Sequence, residues 1–428
     1  MPVDHSRPED SAPGPNAIVK RPPIPWGVRV LLAALFSTTF ASRSQLVALG
    51  LLVFDVTGEE LDLGLLGLAE FLPIFLFAPF AGAVADRYDR RIVYACGLAL
   101  EFLAAVAFFF LARTDLTNIN LVLVVVVFFG IARAFATPAA RALPIDLSPE
   151  DQVERVVALR SVAFQSAGII GPVVTGLLFT VNRSLPFALA AVGLGLAIGL
   201  IRLVPNTGVR QLTSTAGPTQ ALRDAVAGLR FIRRTPVLFG VMTLDLFAVL
   251  LGGAIALLPA IGEKRLGVDE AAVGLLYSAI GVGALITAAI LSVKPIRRHV
   301  GLVLFATVAV FGMATVALGL TTSYVVALLA LIVLSGADAI SVFIRATIVP
   351  LASPEEMRGR VLAVESVFIG GSNELGALES GLTAAWFGLF WAVVAGGLGT
   401  LGVVAVSLFA FPALRKVDRF EDLRPDTS

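Results

Sequence analysis

The chain has 428 residues, of which 57% are hydrophobic and 15% are charged, and its mean hydropathy is +0.91. A soluble globular domain carries about 25% charged residues, so this composition excludes a typical soluble enzyme and favours a protein whose apolar side chains lie in a bilayer. One cysteine, two histidines and a net charge of +1 argue against a disulfide framework, the usual metal-ligand clusters and a basic surface for nucleic acid.

Twelve apolar runs, each long enough to cross a bilayer, follow one another along the chain. Glycine and proline occur inside the runs, as membrane helices tolerate, and the period-two alternation of a membrane barrel is not found in them. We therefore predict an all-α integral membrane protein with twelve transmembrane helices. The predicted spans are Arg29–Phe54, Leu63–Ala85, Ile92–Ala112, Ile119–Ala140, Val153–Val181, Ser184–Leu203, Val237–Ile261, Ala271–Val293, Gly301–Thr321, Tyr324–Pro350, Val361–Ala385 and Phe387–Phe411.

The positions of lysine and arginine predict the orientation, because short loops rich in them stay in the cytoplasm. With the N-terminus inside, most of the 32 basic residues fall on the cytoplasmic side. The charged residues of the first outer loop are all acidic. We expect both termini in the cytoplasm and no cleaved signal peptide. The predicted organisation is a disordered tail (1–28), an N-terminal half (29–204), a central cytoplasmic loop (205–235) with an amphipathic segment on the membrane surface, a C-terminal half (236–412) and a C-terminal tail (413–428).

An internal repeat divides the spans into two sets of six. Residues 148–151 read Ser-Pro-Glu-Asp before the fifth span, and residues 353–356 read Ser-Pro-Glu-Glu before the eleventh, 205 residues later. We predict two parallel six-helix repeats, an architecture typical of transporters with a binding site between the halves. Each run also predicts a helix start, with serine as N-cap and proline as the first helical residue.

The loop after the second span resembles the cytoplasmic signature of the major facilitator superfamily, which runs glycine, acid, basic residue, glycine and two basic residues. Asp89 stands where the second glycine is expected. The resemblance implies a latch at the cytoplasmic gate, with the acid at a helix N-terminus of the other half and the arginines paired across the loop. The matching residues are Gly82, Asp86, Arg87, Arg90 and Arg91.

The fifth span resembles the antiporter signature of this superfamily, although Thr175 replaces one glycine. The resemblance implies that this span packs against the eighth, which is also rich in small residues, and small residues let helices approach closely. The resemblance points to export, whereas a plain packing motif of the same form says nothing about direction. The matching residues are Gly168, Gly171, Pro172 and Gly176.

Three stretches of the second half, residues 257–260, 357–361 and 371–376, resemble the bacterial exporter branch that includes the enterobactin exporter and macrolide-efflux proteins. The resemblance covers the chain from the first span to Phe411. It implies the major facilitator fold, the bacterial cytoplasmic membrane and export of a small drug-like or siderophore-like molecule. It further implies that the proton gradient supplies the energy, that no cofactor is bound, and that the partners are substrate, protons and the bilayer. We expect a monomer.

Ionisable residues inside the predicted spans are candidates for function, because a charge at mid-bilayer costs ~2.5–3.5 kcal/mol. Arg43 and Glu70 are expected at nearly the same depth in the bilayer, and we therefore predict that they pair. Asp245 has no basic neighbour in sequence, so we favour it and Glu374 as proton carriers. Asp338 and Arg133, one repeat apart, are expected to face each other. The candidate cavity residues are Asp245, Glu374, Asp338, Arg133, Arg43 and Glu70, and no role is assigned to Glu101.

Two alternatives remain open. One is an importer or uniporter of a polar metabolite on the same fold, and the other is a membrane protein that senses a ligand or moves lipid without transporting a solute. An enzyme or an ATP-driven pump is disfavoured, since the sequence has no phosphate-binding loop, no histidine in a span and no serine-histidine arrangement.

Overall fold

The computed structural model describes residues 23–114, 119–205 and 218–423. Within these ranges, twelve helical segments are long and apolar enough to cross a membrane, as predicted. The helices are α1 (Trp26–Thr57), α2 (Glu60–Arg87), α3 (Arg90–Leu111), α4 (Asn120–Leu147), α5 (Val153–Val181), α6 (Leu185–Leu203), α7 (Pro218–Arg234), α8 (Pro236–Leu251), α9 (Leu258–Ala260), α10 (Glu270–Val293), α11 (Val300–Leu320), α12 (Tyr324–Leu351), α13 (Glu355–Phe387), α14 (Leu389–Ala410) and α15 (Pro412–Arg415).

The predicted spans agree with the helices to within a few residues at most of their ends. The largest difference is in the fourth span, because α4 continues to Leu147 through two prolines that favour a break. The seventh span is α8 followed by short helical turns up to Leu266. At the N-terminus, α1 begins at Trp26, before the predicted end of the tail. The rest of that tail lies outside the described residues.

The two halves have the same arrangement of helices, which agrees with the predicted repeat. In the N-terminal half α1 packs against α5 and α6, α2 against α4, and α3 against α4 and α6. In the C-terminal half α8 packs in the same way against α13 and α14, α10 against α12, and α11 against α12 and α14. The main contacts between halves, α5 with α10 and α2 with α13, are also equivalent under exchange of the halves.

The repeated serines are equivalent in structure, but they do not cap the helices that follow them. The Ser148 hydroxyl donates to the carbonyl of Pro144, and the Ser353 hydroxyl donates to the carbonyl of Val349. Both side chains therefore terminate the preceding helix, and the predicted N-caps are wrong. The start of α13 has Pro354 at its N-cap without a side-chain hydrogen bond.

The fifth and eighth spans, α5 and α10, pack closely, as the resemblance implies. A Cβ on Gly274 of α10 would collide with the carbonyl of Pro172, and a Cβ on Gly176 of α5 would collide with the carbonyl of Glu270. The Ser278 hydroxyl also donates to the carbonyl of Ile169 at 2.7 Å. Backbones this close need glycine at the contact.

The remaining residues of the antiporter-like motif do not face α10. A Cβ on Gly171 would lie 3.4 Å from the hydroxyl oxygen of Ser44 on α1. Thr175, which replaces a motif glycine, donates its hydroxyl to the Ser44 carbonyl at 3.3 Å. A Cβ added to Gly168 would have no described atom within 4 Å. Only part of the motif therefore joins the two halves.

The halves are closed against each other at the end of the bundle where α1 ends and α2 begins, which we call the outer end. Here a buried apolar cluster joins Phe54 of α1 with Leu258 and Leu276 of the C-terminal half. Lys264 of the C-terminal half forms an ion pair with Glu60 of α2 at 2.8 Å, and its ammonium group lies 5.1 Å from the Phe54 ring.

The central segment contains a helix that docks on the protein. The predicted amphipathic segment forms α7, which packs on the C-terminal half, and its position on the membrane surface stays a prediction. The backbone of Gly228 lies against the carbonyl of Arg360 on α13, and Asp224 forms an ion pair with Arg360 at 2.9 Å. Ile232 is buried in the C-terminal half. The apolar face of α7 is thus covered by protein.

Gly274→Ala tests the contact between α5 and α10. The new methyl group meets a backbone carbonyl, so the helices must separate, and the free energy of unfolding should fall by ~1–3 kcal/mol. The matched control is Gly402→Ala, at an exposed helical position with no atom within 4 Å of the added carbon. Thermal unfolding in detergent measures both. Equal midpoints for the two variants would contradict the close packing.

Candidate functional site

The N-terminal half contains a cavity of about 660 Å³ between α1, α3, α4 and α5. Two residues predicted to line the cavity, Arg43 and Arg133, do line it. The sequence did not point to the other charged residues of its wall, which are Glu101, Arg141 and Arg160. Arg141 and Arg160 lie near the predicted ends of spans, where an arginine is expected to belong to the cytoplasmic loops.

Glu70 pairs with Arg133 of α4, and the predicted pair of Glu70 with Arg43 is wrong. The cause is the close contact between α2 and α4 at Gly130, where a Cβ would collide with the Glu70 carbonyl. Arg133 follows Gly130 by about one helical turn, so its guanidinium reaches the Glu70 carboxylate. Similar depth in the bilayer does not reveal which helices are neighbours.

Arg43 has an aromatic neighbour instead of an acidic one. Its guanidinium lies 5.1 Å from the centre of the Phe164 ring on α5. Within the described residues Arg43 forms no ion pair, and its side chain is exposed toward the cavity. A cation over an aromatic face gains ~0.5–2 kcal/mol, so Phe164 does not replace an acidic partner and leaves the guanidinium charge available on the cavity side.

A carboxylate of the C-terminal half reaches the same pair of charges. One carboxylate oxygen of Glu374 on α13 lies 2.8 Å from the position that a Cβ on Gly67 would occupy. Gly67 precedes Glu70 by about one turn of α2 and leaves room for this side chain. Glu374 also lies within electrostatic reach of Arg133. Among these described residues, Arg133 thus pairs with Glu70, and Glu374 of the opposite half lies near the same guanidinium. We call Glu70, Arg133 and Glu374 the interface charge cluster.

The sequence suggests that Asp245 has no basic partner. In the structure it pairs with Arg345 of α12. Both residues are buried, with 8% and 5% of their surfaces exposed. The sequence places Arg345 among the basic residues of the cytoplasmic side, but its side chain is buried within the C-terminal half instead of lying in an exposed loop. Asp338 lines a small pocket together with Asp245. Asp338 and Arg133 therefore have different neighbours and do not form the predicted facing pair.

Glu101 is a buried carboxylate to which the sequence assigns no role. It lies on α3 with 2% of its surface exposed, and it accepts a hydrogen bond from the Ser42 hydroxyl at 3.0 Å. Within the described part of the chain, no ion pair involves it. An acid inside an apolar span is the signal that the sequence offers, but only the helix packing reveals that it lines the cavity.

The loop between α2 and α3 is stabilised by Asp89 in place of the expected glycine. The Asp89 side chain accepts a hydrogen bond from the Arg91 backbone amide at 2.9 Å, and it forms an ion pair with the Arg91 guanidinium at 2.8 Å. Asp89 has φ −56°, a conformation that does not require glycine. The hydrogen bonds from Arg91 lower the pKa of Asp89.

The described contacts of the signature arginines lie within the N-terminal half. Arg90 forms an ion pair with Asp146 near the end of α4 at 2.7 Å, and Arg91 donates to the carbonyl of Val204 at 2.8 Å. Arg87 is exposed and Gly82 has open space around a Cβ position. The Asp86 side chain lies outside the described residues. The latch between halves therefore stays a prediction.

Asp89→Ala removes the cap of α3 and should lower the free energy of unfolding at neutral pH by ~0.5–2 kcal/mol. The folded-state pKa of Asp89 is below the unfolded value, so its ionised form stabilises the protein above the unfolded pKa, near 3.9. That contribution is lost as the pH falls through the folded-state pKa. Unfolding midpoints of wild type and variant should therefore converge as the pH falls below the unfolded pKa and through the lower pKa of the folded state. A difference that does not change with pH would contradict the assignment.

Arg345→Met should destabilise the protein by ~3–5 kcal/mol, because it leaves the Asp245 carboxylate buried without its partner. The double variant Asp245→Leu with Arg345→Met removes both charges and should recover most of that loss. Thermal unfolding of the wild type, the single variant and the double variant measures the coupling. A double variant as unstable as Arg345→Met alone would show that the pair is not the cause.

The comparisons with known proteins agree with this fold. The family described as Transmembrane secretion effector matches residues 27–426. The multidrug efflux pump Tap of Mycolicibacterium fortuitum is 28% identical over 91% of this chain and 97% of its own length. The enterobactin exporter EntS of Shigella flexneri is 24% identical over 80% of this chain and 81% of its own. The crystal structure of the nucleoside transporter NupG has a TM-score of 0.73 at 16% identity and covers 91% of this chain and 99% of NupG.

These matches confirm the resemblance found in the sequence, and with the twelve apolar helices they identify a multi-pass membrane protein. The chain belongs to the transmembrane secretion effector family of the major facilitator superfamily of transporters.

Proposed function

We propose that the protein is a proton-coupled exporter that moves a small organic molecule across the bacterial cytoplasmic membrane by alternating access. The names of its relatives, a multidrug efflux pump and an enterobactin exporter, support export over import. They also make a protein that only senses a ligand the weaker alternative. The energy source would be the proton gradient, with no bound cofactor.

The observation that carries the proposal is the interface charge cluster. Arg133 balances one carboxylate, so these three residues carry one surplus negative charge when Glu70 and Glu374 are both ionised. Arg43 is the nearby positive charge, but within the described residues it forms no ion pair with either carboxylate. Such a surplus is relieved when one carboxylate takes a proton. We assign that proton to Glu374, because Glu70 is the direct partner of Arg133.

The position of the cluster connects protonation to movement. Glu70 and Glu374 belong to opposite halves, and α2 and α13 form one of the two main contacts between the halves. Repulsion between the ionised carboxylates opposes this contact, and protonation of Glu374 removes the repulsion. A proton thus has different affinities for the conformations in which α2 and α13 are close or separated, which is the requirement for coupling.

The observed conformation fits a state that receives substrate from inside. The halves are joined at the outer end by the cluster around Phe54 and by the ion pair of Lys264 with Glu60. The cavity lies on the other side of this closure, with Arg141 and Arg160 in its wall. With the predicted orientation, both termini and this cavity face the cytoplasm.

Asp245 is the second candidate for proton coupling. Its pairing with Arg345 reduces the need for a proton, but Asp338 lines the same pocket and adds a further negative charge. Uphill transport by Asp245→Asn, compared with that by Glu374→Gln, shows which of the two acids is needed for proton coupling.

Glu374→Gln should abolish uphill transport and keep downhill exchange, because the glutamine fills the same space but carries no exchangeable charge. A panel of fluorescent dyes, antibiotics and siderophores is first tested for expulsion from an efflux-deficient bacterial host. A compound that wild type expels is then followed in liposomes with an imposed pH gradient. Wild type should concentrate it, and a protonophore should prevent this.

The matched control is Glu379→Gln on the same helix, where the Glu379 carboxylate accepts a hydrogen bond from Thr383 at 2.8 Å. This variant should transport like wild type. Uphill transport by Glu374→Gln at the wild-type rate, or wild-type accumulation that survives the protonophore, would refute the coupling mechanism.

A further inference from the structure

We propose that the substrate bound in the cavity of the N-terminal half is an amphipathic organic anion. The proposal rests on the transport function proposed above and adds to it the chemical class of the substrate. It is argued from the charge of the cavity wall, from the partners of its arginines and from the apolar surface between them.

The charged side chains of the described cavity wall are mostly basic. Arg43 comes from α1, Arg133 and Arg141 from α4, and Arg160 from α5, whereas Glu101 of α3 is the acid among the lining residues. Behind the wall, Glu70 pairs with Arg133, and Glu374 lies within electrostatic reach of it, so these two carboxylates offset at most two further charges. The wall therefore keeps an excess of positive charge within a space large enough for a small organic molecule.

In the described part of the chain, three of the four cavity arginines have no carboxylate partner that would neutralise their charge. Within the described residues, Arg43, Arg141 and Arg160 form no ion pair with a carboxylate. Arg141 lies close enough to Arg160, and Arg43 close enough to Arg133, for their like charges to repel. Like charges held together around a cavity raise the free energy of the empty site, and an anion bound between them lowers it.

A purely topological role explains only part of this pattern. Arg141 and Arg160 lie near the ends of their helices, where arginines that fix membrane orientation also occur. Arg43 lies 17 residues after the start of α1, about 25 Å along the helix at ~1.5 Å per residue. An arginine at that depth without an acidic partner is costly and is expected to serve a function.

The rest of the wall predicts an apolar part of the substrate. Aliphatic and aromatic side chains separate the arginines, and hydroxyl groups supply further hydrogen bonds. Representative apolar residues are Leu35, Leu46, Val157 and Phe164, and the hydroxyls include those of Thr38 and Thr39. A molecule with an acidic group and an apolar body satisfies both surfaces, whereas a lipophilic cation would meet four arginines and, among the described lining residues, one acid, Glu101.

The experiment compares probes that are similar in shape and differ in charge. Liposomes of phosphatidylcholine containing purified protein are loaded with fluorescein or rhodamine 123, and in parallel with 1-pyrenebutyrate or 1-pyrenebutylamine. Release down the concentration gradient is measured without a pH gradient. Wild type should release at least one of the anions at least fivefold faster than protein-free liposomes do, and the cations at the protein-free rate.

Substitutions assign the preference to the cavity. Arg43→Gln and Arg160→Gln should each reduce protein-dependent release of the anion at least tenfold. Arg202→Gln, an exposed arginine in the last turn of α6, is the matched control and should release the anion like wild type. Thermal unfolding of each variant ensures that the loss is not a failure to fold. Arg43→Glu should shift the preference toward the cation of each pair.

The acidic group belongs either to a soluble molecule or to an anionic lipid, and a second arm distinguishes these sources. Fluorescent phosphatidylglycerol and phosphatidylcholine are compared for protein-dependent movement between leaflets. Selective movement of phosphatidylglycerol supports a lipid source of the anion, and release of fluorescein or pyrenebutyrate supports a soluble one. The proposal is overturned if cations move faster than anions, if no anionic probe moves, or if Arg43→Gln and Arg160→Gln slow anions and cations equally.

Failure of this proposal and failure of the coupling mechanism give different results. Downhill release needs no proton gradient, so an anion preference together with an inactive protonophore test would keep the substrate class and refute the coupling. Gradient-driven transport of cationic compounds alone would keep the coupling mechanism and refute the proposed substrate class.

Discussion

Each ionised side chain inside the bilayer needs an opposite charge or a polar ligand, and this constraint organises the interior of the protein. The desolvation of a charge costs several kcal/mol, which exceeds most other single contributions to stability. Asp245 and Arg345 meet the requirement within one half. Glu70 and Arg133 meet it within the other, but Glu374 adds a carboxylate that the same arginine must share. Stability and function therefore depend on the same few charges.

Glycine determines where these charges meet. Gly130 allows α2 to approach α4 so that Glu70 reaches Arg133, and Gly67 leaves the space into which Glu374 extends from the other half. At Gly176 and Gly274 the same close approach joins α5 to α10. Because helices in a bilayer gain little from the hydrophobic effect, backbone contacts of this kind supply much of the packing between halves. The interface is consequently sensitive to a single added methyl group.

The sequence predicted features that depend on one segment and failed for those that depend on neighbours. Apolar runs predicted the spans, whereas the contact between α5 and α10 was predicted from the family resemblance, with small residues on both helices in agreement. The partner of Glu70 was wrong because depth in the membrane does not identify the adjacent helix. Arg345 was assigned to the cytoplasmic side since it lies near a helix end, although it is buried. The arginines of the cavity were likewise visible in the sequence, but only the arrangement of α1, α4 and α5 brings them together.

The closure at the outer end has a consequence for how the protein senses the solution outside it. Lys264 is about two-fifths exposed, so its ion pair with Glu60 is in contact with water while the apolar cluster beneath it is not. Dissolved ions screen an exposed pair but have little access to a buried one. The external closure is thus made of a part that responds to ionic strength and a part that does not. If the protein has the proposed orientation and alternates as proposed, the salt concentration on that one side of the membrane changes how readily this end opens, independently of the proton gradient.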